Sequence, residues 1–132
     1  MWLMPDDSGV QHAANRLLSL LEMTREEYLR TFDRTNLLHK CQGRGRRGDL
    51  WDPIAARDAA DTMIRTQDEP RRIILLGKRV GAAFVPNTMY FQWWKAGRHS
   101  VVVVPHPSGR NAWFNSPANR RTFRDWMRDT LS

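Results

Sequence analysis

Four consecutive valines, Val101-Val102-Val103-Val104, run without a polar interruption into Pro105-His106-Pro107-Ser108-Gly109-Arg110-Asn111. A continuous β-branched run bounded by proline and glycine reads as a strand covered on both faces, as in a parallel α/β sheet. Ligands of such sheets bind beyond the carboxyl ends of the strands, so the residues after Val104 stand where a site is expected. Two prolines hold the backbone around His106. Ser108, the amides around Gly109 and the guanidinium of Arg110 offer donors to an anion or a base edge. The same residues also read as no more than a capped turn from strand to helix.

The rest of the chain supplies helices and further strands. Met1 to Gly9 reads as a loop, after which Ala14, Leu17, Leu18 and Leu21 fall at helical spacing and predict a helix over about 9–22. Thr24 followed by Glu27 is a capping box, opening a short helix through Tyr28 to about Phe32. Asp33 to Leu38 reads as a short strand ending in Asn36. The basic segment Gln42-Gly43-Arg44-Gly45-Arg46-Arg47-Gly48 is too rich in glycine for regular structure. Arg44, Arg46 and Arg47 either lie along a phosphate backbone or decorate a solvated loop.

Asp52 and Pro53 begin a helix that buries Ile54, Ala55, Ala59, Ala60 and Met63. Arg71 to Leu76 is the clearest second strand, and Gly77 then opens a helix through Val80, Ala83 and Phe84. Gly77-Lys78 lacks the rest of a phosphate-loop or dinucleotide fingerprint. The aromatic stretch Met89-Tyr90-Phe91-Gln92-Trp93-Trp94 reads mainly as packing groups, with one ring free to stack on a base. Asn115-Ser116-Pro117 caps a final helix that packs Phe123, Trp126, Met127 and Leu131 inwards and leaves Arg120, Arg121, Arg124 and Arg128 mostly outside.

Helices alternating with strands imply a mostly parallel sheet of about three or four strands with right-handed crossovers, a small three-layer α/β sandwich. The strand ends at Asn36, Gly77 and His106 then face one edge. The 132 residues are expected to form a single domain, 1–132. Hydrophobic content of 41% with 27% charged residues is globular rather than disordered. No apolar run is long enough to span a membrane, and a cytoplasmic location is expected. A formal net charge of +7, carried mostly by arginine, suits phosphate and guanine contacts. One cysteine, Cys41, excludes an internal disulfide or a multi-cysteine cluster, and His39 beside it does not complete a metal site. No cofactor is expected.

The segment Pro105-His106-Pro107-Ser108-Gly109-Arg110-Asn111, with Trp113, Asn115, Pro117 and Asn119, resembles the second signature motif of the uracil-DNA glycosylase superfamily. Leu75-Leu76-Gly77-Lys78-Arg79-Val80 is similar to the third-strand segment of its bacterial members, and Thr35-Asn36-Leu37-Leu38 to the strand end whose asparagine reads the flipped base. The helix from Thr24 to Phe32 is similar to the one before it. The resemblance covers most of the chain from about Gly9 onward. It implies a truncated glycosylase-like fold, DNA as partner and, if the protein is active in DNA repair, hydrolysis of an N-glycosidic bond.

The resemblance also implies the roles. Asn36 would hydrogen-bond the Watson–Crick edge of an extruded pyrimidine. His106 would donate to the base O2 as the bond breaks, Ser108 and Gly109 would hold a phosphate, and Arg110 would wedge into the duplex. Extrusion costs a few kcal/mol, while one donor aimed at developing negative charge contributes about 3 kcal/mol.

The family's first motif, a strand and a loop that positions the attacking water, has no match here. Asp6 and Asp7 lie nearby in sequence without standing in it. The missing strand is central in the family, so its loss would leave a gap between the Asn36 and Leu75 strands. Either these strands pair directly in a monomer, with the Leu75 strand in the middle, or another chain supplies a strand and makes a dimer, or the polypeptide's start is not the native one. Two functions stay open: a minimal DNA base glycosylase, and a catalytically inactive module that grips DNA or a flipped base. An α/β nucleotide-binding protein unrelated to DNA is a third.

Overall fold

The computed structural model describes residues 2–4, 10–34, 37, 44–45, 48–49, 52–107 and 112–131. Its centre is the expected pair of buried strands. β5 (Arg72–Leu76) and β7 (His99–Val104) run parallel with Ile74 beside Val102 and Leu75 beside Val103. All four valines are fully buried, as are Ile73, Ile74 and Leu75. Each valine removed from water contributes about 1.5–3 kcal/mol as an upper bound, which is why the run holds the middle of the domain.

The amino-terminal segment departs from the expected loop. Trp2–Met4 is a strand, β1, that pairs in parallel with β5 on one side and with β2 (Asp33–Arg34) on the other. The strands near Asn36 and Leu75 therefore do not pair directly; the chain's own first residues fill the gap between them. Buried backbone groups must be hydrogen-bonded, and three residues of extended chain satisfy both neighbours at once. β2 ends at Arg34, and Asn36 lies outside the described residues.

With β6 (Trp93–Ala96) at its edge the sheet has five strands instead of the expected three or four, in the order β2-β1-β5-β7-β6. β6 is a second departure, because part of the aromatic stretch is a strand rather than only packing groups. It pairs antiparallel with β7 through a tight turn at Gly97 and Arg98, with φ +61° at Gly97. Glycine with positive φ at the first central position is the type II′ pattern that suits a two-residue hairpin. The sheet is mixed but mostly parallel, and β5 is its middle strand.

The basic glycine segment also forms more structure than expected. β3 (Arg44–Gly45) and β4 (Gly48–Asp49) make a short antiparallel ladder, Arg44 opposite Asp49 and Gly45 opposite Gly48. Glycine raises the entropic cost of an extended strand without forbidding it. Arg46 and Arg47 lie outside the described residues, as do His39 and Cys41.

Helices cover both faces. α1 (Val10–Leu21), α2 (Arg25–Thr31) and α5 (Pro117–Leu131) lie on one side, where Leu17, Leu20, Tyr28, Phe123 and Met127 meet Ile74, Leu76, Val102 and Val104. α3 (Pro53–Thr66) and α4 (Lys78–Phe84) lie on the other, where Ala56, Ala60 and Val80 meet Ile73, Leu75, Val101 and Val103. This is a small three-layer α/β arrangement.

The helix starts follow local chemistry. Thr24 and Glu27 form the reciprocal capping box, and the Asp52 carboxylate accepts from the amides of Ile54 and Ala55. Ser116 Oγ accepts from Asn119 N–H at the start of α5. The α5 arginines are less free than expected. Arg120 donates to the carbonyls of Phe114 and Asn115, while Arg124 reaches Leu20 O and pairs with Glu22 beside Arg128.

Candidate functional site at the carboxyl edge of the parallel strands

β7 ends at Val104, and the next three residues turn over the carboxyl edge of the sheet. Pro105 and Pro107 are buried, while His106 between them is half-buried. Buried prolines on both sides fix the backbone, so the imidazole stays at the edge instead of joining the core. The residue as a whole is partly accessible, as expected of His106, but its Nε2 is buried.

Gly77 makes room for that imidazole. Its N–H donates to Val104 O at 2.8 Å, tying the end of β5 to the end of β7. Its backbone lies at φ +93°, ψ 163°, a region essentially reserved for glycine. A Cβ there would stand 3.1 Å from His106 Cβ and 3.5 Å from its Cδ2. The glycine is therefore required twice, for its backbone and for the seat of His106.

Lys78 follows directly and places its Nζ 5.3 Å from the centre of the Tyr90 ring, within cation–π range. Tyr90 is held at the same edge by a parallel bridge to Val103, and the next amide, Phe91 N–H, donates to Val103 O at 2.9 Å. Burial pushes the Tyr90 phenol above its ordinary 10.0, so at neutral pH it remains an uncharged hydroxyl. Trp113 meets Tyr90 edge-on at 6.2 Å. It sits in a 3-10 turn, Ala112–Asn115, whose Trp113 carbonyl accepts from Asn119 Nδ2 at 2.9 Å.

The edge thus gathers a half-buried imidazole, an ammonium, a neutral phenol and an indole. These groups can donate hydrogen bonds, stabilise negative charge and offer aromatic faces. Of the residues expected to form a site, Gly77 and His106 come together here, with Trp113 and Asn119 of the same motif close behind. Asn36, Ser108, Gly109, Arg110 and Asn111 lie outside the described residues, as do Asp6 and Asp7. Arg44 is placed only as part of β3.

Lys78 and Tyr90 carried no site assignment in the sequence. The available signal was a Gly-Lys pair at a strand end, and nothing local announced that the ammonium would meet a ring from beyond α4. No described cluster of three or more His, Cys, Asp or Glu residues is arranged to hold a metal ion. No described helix is long and apolar enough to cross a membrane. No protein-family model, curated protein or solved structure matches this chain.

Proposed function

We propose that the protein is a DNA-binding member of the uracil-DNA glycosylase superfamily that excises uracil or a modified pyrimidine by hydrolysing its N-glycosidic bond. The observation that carries this reading is His106, held half-buried against Gly77 at the carboxyl edge directly after the fully buried run Val101–Val104. A donor at this position can stabilise charge that develops on the base oxygen as the bond breaks. The position of β1 between β2 and β5 also supports it, because the family's central first strand would occupy that place. The +7 charge favours encounter with a polyanion.

The departure in the first motif favours a second reading, a glycosylase-like module that binds DNA or a flipped base without cutting. The two separate in one experiment. The protein is incubated with uracil-containing single- and double-stranded oligonucleotides, and abasic sites are revealed by alkaline cleavage. Strand scission dependent on His106 is the expected result. Retained binding with no scission from uracil, hydroxymethyluracil or mismatched substrates would leave the binding module.

A further inference from the structure

Five aromatic rings form a continuous path away from the carboxyl edge. Tyr90 touches Phe91 and Trp113, Phe91 lies 5.2 Å from Trp126, and Trp126 stacks on Trp93 at 6.2 Å and 29°. The path passes from one face of the sheet to the other, since Tyr90 packs with Val103 and the α3–α4 layer, whereas Phe91 packs with the α5 layer.

Phe91 makes that crossing with φ +65°. A bulky residue in the left-handed region is strained, and such strain persists where the surroundings over-determine it. The path ends in the open: Trp93 is 39% exposed, with one face on Trp126.

Charge is placed at both ends. Lys78 stands over Tyr90 at the inner end. At the outer end Lys95 is exposed and lies two residues from Trp93 on the same face of β6.

We propose that Trp93, the exposed end of this otherwise half-buried path, is a stacking platform for single-stranded nucleic acid, directing a strand towards the His106 edge, with Lys95 and Lys78 meeting its phosphates. The inference rests on the nucleic-acid reading above and adds the strand form and its route. Bases stack on aromatic faces with little regard to sequence. In a duplex the faces of the bases are stacked on one another, so the platform favours the unpaired strand.

The test measures fluorescence anisotropy of a labelled oligothymidine and of a duplex of matched length, for the wild type, Trp93→Leu and Trp93→Phe. Thermal unfolding of each variant establishes that it is folded. Loss of one stacked base corresponds to about 5- to 150-fold in affinity. Trp93→Leu should lose that much on the single strand and keep duplex affinity, while Trp93→Phe should retain most single-strand binding. Undiminished single-strand binding by Trp93→Leu, an equal loss on both substrates, or wild-type binding to duplex alone would each overturn the platform and leave the DNA reading standing. A wild type that binds neither substrate would remove the nucleic-acid reading itself, and the platform with it.

Discussion

Replacing Gly77 with alanine tests the geometry on which the site depends. An alanine forced to φ +93°, ψ 163° costs about 1–3 kcal/mol in backbone strain. The smaller entropy of the unfolded alanine chain offsets about 0.4–1 kcal/mol of this. The new Cβ would also stand 3.1 Å from His106 Cβ, so the imidazole must give way by a few tenths of an ångström.

The net expectation for Gly77→Ala is a loss of about 1–2 kcal/mol, which for a domain of this size lowers Tm by about 3–10 °C. The assay is thermal unfolding, with NMR of the His106 ring in the folded state. Gly97→Ala is the control. That residue sits at φ +61° with its new Cβ 2.9 Å from Ile64 Cγ2, remote from His106 in the strand register. Both variants should be destabilised, and Gly77→Ala alone should move the His106 resonances. A Gly77→Ala protein as stable as wild type, or one with His106 unmoved, would refute the reasoning.

Gly81→Ala sets helix propensity, worth about 1 kcal/mol in its favour, against a Cβ placed 2.7 Å from Val103 Cγ2, where overpacking costs about 1–3 kcal/mol. Val103 is β-branched and fully buried, so the clash should win in denaturant unfolding, and the sign should reverse in a Val103→Ala background. His99→Leu removes the Nδ1 that accepts from Arg71 N–H at 3.1 Å, and leaving a part-buried amide unsatisfied should lower stability by about 1–3 kcal/mol by the same measurement. Because burial raises the Tyr90 phenol above 10.0, the folded state holds that proton more tightly than the unfolded state, so stability falls as pH rises beyond that value; Tyr90→Phe should show a shallower alkaline loss in unfolding measured across the range. On the glycosylase reading, His106→Ala should reduce excision by about two orders of magnitude and leave oligonucleotide affinity nearly intact. Equal excision by wild type and variant would remove His106 from the mechanism.

Much of this architecture is legible in the amino acids because its causes are local. The boundaries of α2, α3 and α5 follow from Thr24 with Glu27, from Asp52 with Pro53 and from Ser116 with Pro117, each an interaction within one helical turn. The two-sided burial of β5 and β7 follows from unbroken apolar runs. The place of His106 follows from proline on either side of it. Three other features were decided by tertiary structure. Trp2–Met4 is too short to show a period and is a strand only because β2 and β5 offer backbone partners on both sides. Trp93 and Trp94 read as packing groups, and only the turn at Gly97 makes them part of a strand, Trp93–Ala96, folded onto β7. Lys78 meets Tyr90 only because the bridge to Val103 brings a distant segment back to the strand edge. Strand pairing joins residues far apart in the chain, and the backbone groups that drive it are the same in every residue, so no local pattern could announce these contacts.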